Sequence, residues 1–169
     1  LDADKDKEEI KQYNVNVGER PNAGILHDTI ASSGAKELTE ILAECDNGLP
    51  PLELQPKIGE THAPKITTSD TKINWKEDST LIDRIIRAFS PYPGAWFIVS
   101  GERIRVLEAE PVNAVAPPGI VLDPLIIACG SGAIKINSLQ REGRKPMTTE
   151  MFLRGFPIAT GTNLNSGLV

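Results

Sequence analysis

Ala95-Trp96-Phe97-Ile98-Val99-Ser100-Gly101-Glu102-Arg103-Ile104-Arg105-Val106-Leu107-Glu108-Ala109 decides the fold of this 169-residue chain. Two short runs of strand-forming residues, Ala95 to Val99 and Arg103 to Ala109, are separated by a Ser100-Gly101 turn, the pattern of a hairpin. The same signal continues downstream as Ile120 to Leu122, Leu125 to Cys129, a Gly130-Ser131-Gly132 turn, and Ala133 to Leu139.

Five short strands within about 75 residues are economical only if their edges are removed. The expected domain is therefore α+β, mostly β: a small closed or nearly closed five-stranded barrel of the oligonucleotide-binding type. A helix precedes it. Thr80 to Ser90 places Leu81, Ile82, Ile85, Ile86 and Phe89 on one face, with Arg84 and Arg87 off it, and Pro91 and Pro93 stop it. Thr80 and Asp83 have the spacing of a capping box, with Asp in place of Glu. A helical turn, Thr148 to Arg154, follows the strands.

Further upstream the character changes. Residues 1–18 alternate between charge and short apolar pairs, and Gln12 to Val17 shows the period-two pattern of a short strand. Asn22 is the expected N-cap of a helix carrying Ile25, Leu26 and Ile30, with Gly34 ending or interrupting it. Ala35 to Cys45 continues helically, with Leu38, Ile41, Leu42 and Cys45 in a stripe. Two amphipathic helices and one strand make a poor layer by themselves, so residues 1–48 read as the tail of a preceding domain whose sheet covers the helices. Residues 49–72, with Pro50, Pro51, Pro56 and Gly59 and no hydrophobic period, read as a linker, and residues 73–169 as a second domain.

Composition narrows the function. No apolar run approaches the roughly 18 to 20 residues of a membrane span, and the first eleven residues are acidic and polar, unlike a secretion signal. Cys45 and Cys129 stand alone, the pattern of reduced, buried thiols in a reducing compartment, and no metal site is expected. The net charge of −5 is unevenly spread. Residues 1–60 hold 6 basic and 13 acidic residues, residues 61–169 hold 12 and 10. The second part can therefore meet a polyanion despite the acidic whole.

Conventional catalytic signals are missing. His27 and His62 lack neighbouring cysteines or a second histidine and read as solvated side chains. No serine has elbow context, and Gly130-Ser131-Gly132 joins two strands, where a phosphate cradle would join a strand to a helix. The stronger signal is basic: Arg141, Arg144 and Lys145 lie within five positions on a loop stiffened by Gly143 and Pro146. Such a loop can position phosphates without reading bases, and Arg84, Arg87, Arg103, Arg105 and Lys135 extend the same surface; the alternative is ordinary solvated charge. Trp75, Trp96 and Tyr92 lie beside apolar residues, the context of core packing.

Taken in order, three stretches closely resemble the carboxy-terminal part of the methionyl-tRNA formyltransferase family: His62-Ala63-Pro64-Lys65-Ile66, Ile73-Asn74-Trp75, and Ile82-Asp83-Arg84-Ile85-Ile86-Arg87-Ala88-Phe89-Ser90-Pro91-Tyr92-Pro93-Gly94-Ala95-Trp96. The resemblance continues through Pro118-Gly119, Ile127 to Ile134, and Leu139-Gln140-Arg141-Glu142-Gly143-Arg144-Lys145-Pro146-Met147, ending near Phe152-Leu153-Arg154-Gly155. It implies a Rossmann-like α/β catalytic domain in front, of which residues 1–48 are the carboxy-terminal remnant, and a barrel that holds initiator tRNA by its backbone. The family transfers a formyl group from 10-formyltetrahydrofolate, its co-substrate, to the amino group of methionyl initiator tRNA at translation initiation.

On that resemblance Lys65, Arg84, Arg87, Lys135, Arg141, Arg144 and Lys145 are the candidate tRNA contacts, and Asp6 aligns with the family's catalytic aspartate. Around Asp6 the agreement is poor, because Asp4 and Glu8 replace glycines, Lys5 a leucine and Lys7 a threonine. The asparagine and histidine that join this aspartate, stabilising the oxyanion and handling the amine's proton, belong to an upstream segment. The expectation is a monomer without turnover of its own, with no folate bound to it, working in bacterial cytoplasm or an organelle matrix. Two alternatives stay open: a non-catalytic interaction module, and the matching part of another folate-dependent formyltransferase or hydrolase.

Overall fold

The computed structural model describes residues 8–9, 14–46, 48, 53–54, 59 and 61–165. The chain divides into two compact units: Leu1–Glu19 with Ile25–Lys65, and Arg20–Gly24 with Ile66–Val169.

In the first unit β1 (Glu8–Glu9) pairs antiparallel with β2 (Glu53–Leu54). Asn14 to Val17 joins no ladder, so the strand expected over residues 12–17 is absent from the described residues there; Gln12 and Tyr13 lie outside them. α1 (Ala23–Cys45) is one continuous helix of 23 residues. Gly34 neither ends nor interrupts it, because the Ala, Leu and Glu around it favour helix strongly enough to absorb the roughly 1 kcal/mol a glycine costs. No residue of α1 is buried, and Ile25, Ile30, Leu38 and Leu42 are exposed.

The second unit carries the sheet. α2 (Ser79–Phe89) starts at Asp78, whose carboxylate accepts the Thr80 N–H at 2.8 Å. The N-cap is thus Asp78 and not Thr80, and the expected box partner Asp83 has a different role: its side chain is 3% exposed and ion-paired. Ile82 and Ile86 are buried as the periodicity requires, whereas Leu81 lies outside the covered stripe. The helix ends before Ser90, whose hydroxyl donates to the Leu107 carbonyl at 2.7 Å.

β3 (Ala95–Val99) and β4 (Glu102–Val112) form the hairpin, with Val99 opposite Glu102 and Trp96 opposite Arg105. β5 (Val121–Leu122), β6 (Ile126–Ala128), β7 (Ala133–Arg141) and β8 (Met147–Thr148) complete an antiparallel sheet of order β3-β4-β7-β6-β5, with β8 also on β7. α3 (Thr149–Gly155) closes the element list. The sheet therefore has six strands where five were expected; β8 is two residues long and runs straight into the Thr148 cap of α3, which hides it from any pattern.

The ladder is open. The outer edge of β3 meets the coil at Lys72 and Ile73, where the Ile73 N–H donates to the Trp96 carbonyl at 2.8 Å. The edge of β5 meets residues 161–164, through Val121 N–H to the Thr162 carbonyl and Gly161 N–H to the Val121 carbonyl. Coil segments thus blunt the edges that barrel closure would otherwise have removed. A register irregularity of β4 against β7 around Glu108 lets Ile104, Val106 and then Ala109 all face the core. The core gathers Trp75, Phe97, Ile82, Ile86, Ile104, Ile136, Leu139 and Phe152, with Trp75 and Phe97 edge to face at 5.7 Å.

Candidate nucleic-acid interface

The loop after β7 is braced at both ends. Gly143 adopts φ 69°, a left-handed conformation that glycine takes without steric cost, the Arg144 N–H donates to the Arg141 carbonyl at 3.1 Å, and Gln140 Nε2 donates to the Arg144 carbonyl at 2.7 Å. Arg141 holds Glu102 with two hydrogen bonds, Nε to Oε2 at 2.8 Å and Nη2 to Oε1 at 2.7 Å, and lies 4.8 Å from the Phe156 ring centre. Its charge is matched within the fold. Arg144 and Lys145 are exposed and meet no acidic side chain among the described residues.

The other expected contacts divide in the same way. Lys135 Nζ pairs with Glu110 at 2.9 Å, and that hydrogen bond and charge hold the Glu110 carboxyl below its usual range. Arg87 Nε pairs with Asp83 at 3.0 Å and its Nη1 donates to the Pro21 carbonyl at 3.1 Å, while Arg20 reaches the same carboxylate at 2.7 Å. Arg84 is exposed on α2, and Lys65 is exposed in the other unit. Asp6 lies outside the described residues. His27 and His62 are exposed, the former 3.2 Å from Asp28. Among the described residues no three His, Cys, Asp or Glu side chains gather as metal ligands, and no helix is long and apolar enough to cross a membrane.

The outer face of the hairpin carries what the sequence reading placed less well. Trp96, 9% exposed, packs on this face and stays out of the core cluster, its Nε1 donating to the Thr68 carbonyl and Thr71 Oγ1. The Arg103 guanidinium sits 4.1 Å from the indole centre, and Lys72 Nζ lies 5.6 Å away. Such cation–π contacts contribute about 0.5–1 kcal/mol at exposed sites and more when desolvated. Gly94, φ 86°, leaves room for the Arg105 stem, since a Cβ there would meet Arg105 Cδ at 3.0 Å. Once Ser100-Gly101 is taken as a two-residue turn, Ile98 must face Arg103 and Trp96 must face Arg105; that arithmetic could have found this face from sequence.

Two other expectations need correction. Tyr92 is 80% exposed, because it follows the end of α2 and precedes the strand, where neither element covers it. Cys129 is buried, its thiol pushed up to about 12 by burial, but Cys45 at the end of α1 is only partly covered. A pocket of about 250 Å³ lies beside Lys72, floored by Ile73, Trp75 and Phe97 and rimmed by Ser69, Asn74 and Asn165.

Comparison with known proteins gives this geometry a family. The chain is 39% identical over 150 residues to a methionyl-tRNA formyltransferase of Cereibacter sphaeroides, covering 89% of this chain and 49% of that protein. It is 41% identical over 155 residues to the methionyl-tRNA formyltransferase of Sinorhizobium fredii, covering 89% and 50%. The chain thus spans about half the length of the curated relatives it matches. Among solved structures it resembles a variant of HypX from Aquifex aeolicus, with TM-score 0.65 and 18% identity over 82% of this chain and 26% of that one. HypX in complex with tetrahydrofolic acid gives TM-score 0.56 at 19% identity, over 73% and 23%. Residues 65–157 match the family described as formyl transferase, C-terminal domain. Because that match takes in the second helix, the whole sheet and the basic loop, more than half of the sequence, the chain belongs to the formyl transferase family through its carboxy-terminal domain.

Proposed function

We propose that this chain is the tRNA-holding part of a methionyl-tRNA formyltransferase, the enzyme that moves a formyl group from 10-formyltetrahydrofolate to the amino group of methionyl initiator tRNA. The observation that carries this reading is the braced loop: Arg144 and Lys145 stand exposed and unpaired among the described residues, within a domain whose relatives are named for a tRNA substrate. Cations held on a short, stiff loop contact phosphates at little ordering cost, and the counterions they release make the binding sensitive to salt.

In this reading residues 73–169 are the tRNA-binding domain, an opened form of the oligonucleotide-binding barrel, and residues 49–72 link it to a catalytic domain. Residues 1–48 are that domain's end, and the exposed stripe Ile25, Ile30, Leu38 and Leu42 is the face its sheet covers. Folate and the formyl-transfer chemistry belong to the catalytic domain, with Asp6 aligned to its aspartate. HypX, a neighbour of similar fold, is solved in complex with tetrahydrofolic acid.

The test is binding of methionyl initiator tRNA to the full chain between about 50 and 200 mM salt. Salt-sensitive binding is expected, with a slope shallower by about 2 in an Arg144→Ala, Lys145→Ala variant, about 1 for each lost phosphate contact. Binding that is absent, or indifferent to salt and to the variant, overturns the reading. The chain alone is expected to yield no formyl-methionyl-tRNA.

A further inference from the structure

One register row crosses four backbone segments of the sheet unit. Lys72 bridges Trp96, Trp96 pairs with Arg105, and Arg105 pairs with Gln140. Residues paired across strands share a face, and neighbouring strands lie about 4.8 Å apart, so these side chains form a line roughly 14 Å long on one surface. Arg103, paired with Ile98, stands on the same face one step along. At the far end Gln140 holds the Arg144 carbonyl, which ties the row to the basic loop.

The charges of this row are left unmatched by the fold. Lys72, Arg103 and Arg105 form no ion pair among the described residues, in contrast to Arg87, Lys135 and Arg141, each committed to a carboxylate. The Arg103 Nε is buried without a hydrogen-bond partner, and among the described residues its guanidinium is held by the indole face of Trp96, with no carboxylate on it. Three oriented cations around a fixed indole, continued by Arg144 and Lys145, make a track with the charge and rigidity to follow a phosphate backbone. Trp96 is too buried to stack a base, so the track reads backbone and not sequence.

Resting on the tRNA reading above, we propose that the outer row Lys72, Arg103 and Arg105 is a second phosphate-contacting surface of this protein, and that Arg141 is a positioning residue which braces the loop without touching RNA. The row extends the contact from one loop to a strip across the sheet.

The experiment measures affinity of initiator tRNA for the full chain across the same salt range, in three variants. Lys72→Ala with Arg105→Ala is expected to flatten the salt slope by about 1.5–2 and to weaken binding about tenfold at the low-salt end. Lys135→Ala with Glu110→Ala removes a matched pair and should leave the slope unchanged. Arg141→Lys, which keeps the charge but not the two-pronged hold on Glu102, should weaken binding without changing the slope. Near-ultraviolet circular dichroism confirms that each variant is folded; Arg105→Gln replaces the double variant if that one is not. An unchanged slope in the row variant, with the Arg144, Lys145 variant still flattened, overturns the row and spares the tRNA reading. No salt-sensitive binding by the unaltered chain overturns both. A flattened slope in Arg141→Lys overturns its positioning role.

Discussion

α1 and α2 are both helices with an apolar stripe, yet α2 buries Ile82, Ile86 and even the charged Asp83 while α1 buries nothing over twice the length. What separates them is partners. α2 is capped by Asp78, its entry is clamped where the Ser79 N–H donates to the Ser131 carbonyl, and its stripe lies on β3 and β4. α1 has helix-favouring residues and half-buries Leu26, Ile41 and Cys45 on one side, but Ile25, Ile30, Leu38 and Leu42 stay exposed. A periodic pattern therefore states that a face wants covering; only the fold says whether it is covered.

That contrast can be broken in graded steps. Ile86→Ala, at a fully buried position on α2, should cost about 4 kcal/mol of unfolding free energy, read from the urea midpoint. Asp83→Asn should cost about 3 kcal/mol, because Arg20 and Arg87 lose the buried carboxylate that pairs them, and Arg87→Ala should not add to it fully in a double-mutant cycle. Gly130→Ala should cost about 2 kcal/mol or more, since its Cβ would run into the Lys76 carbonyl oxygen, backbone that cannot rotate away. By contrast, Leu42→Ala on α1 should move stability by less than about 0.5 kcal/mol, and a larger loss would mean that its face is covered.

The smallest effect sharpens the capping side of the comparison. The Thr80 N–H holds the Asp78 carboxyl below its usual range. A group whose folded pKa is depressed contributes stability above its unfolded value, near 3.8, and loses it as pH falls through the lower folded value. The melting temperature of the unaltered chain should therefore fall more between about pH 4 and 2 than that of Asp78→Asn, which keeps an acceptor but does not titrate.

Much of the sheet unit was legible because its signals are local. The β3–β4 hairpin follows from a two-residue turn, the stop of α2 from Pro91 and Pro93, and the β6–β7 turn from Gly130 to Gly132. β8 was not, since two residues carry no period, and neither was the open edge, since coil segments at 72–73 and 161–164 do the blunting. The candidate interface was half legible: the basic loop stood out as a cluster, whereas Lys72 and Gln140 entered only through register.

By itself the sequence determined that this chain contains a hairpin-rich domain, a firmly stopped amphipathic helix and a basic loop, and the order of its motifs determined its family. Tertiary structure decided which of the cations are available. Arg141 finds Glu102 across 39 positions, Lys135 finds Glu110 across 25, and Arg20 finds Asp83 across 63. Charge is neutralised over a few ångströms of space, and which residues come that close is set by strand register and helix packing, which a linear pattern of charges does not contain.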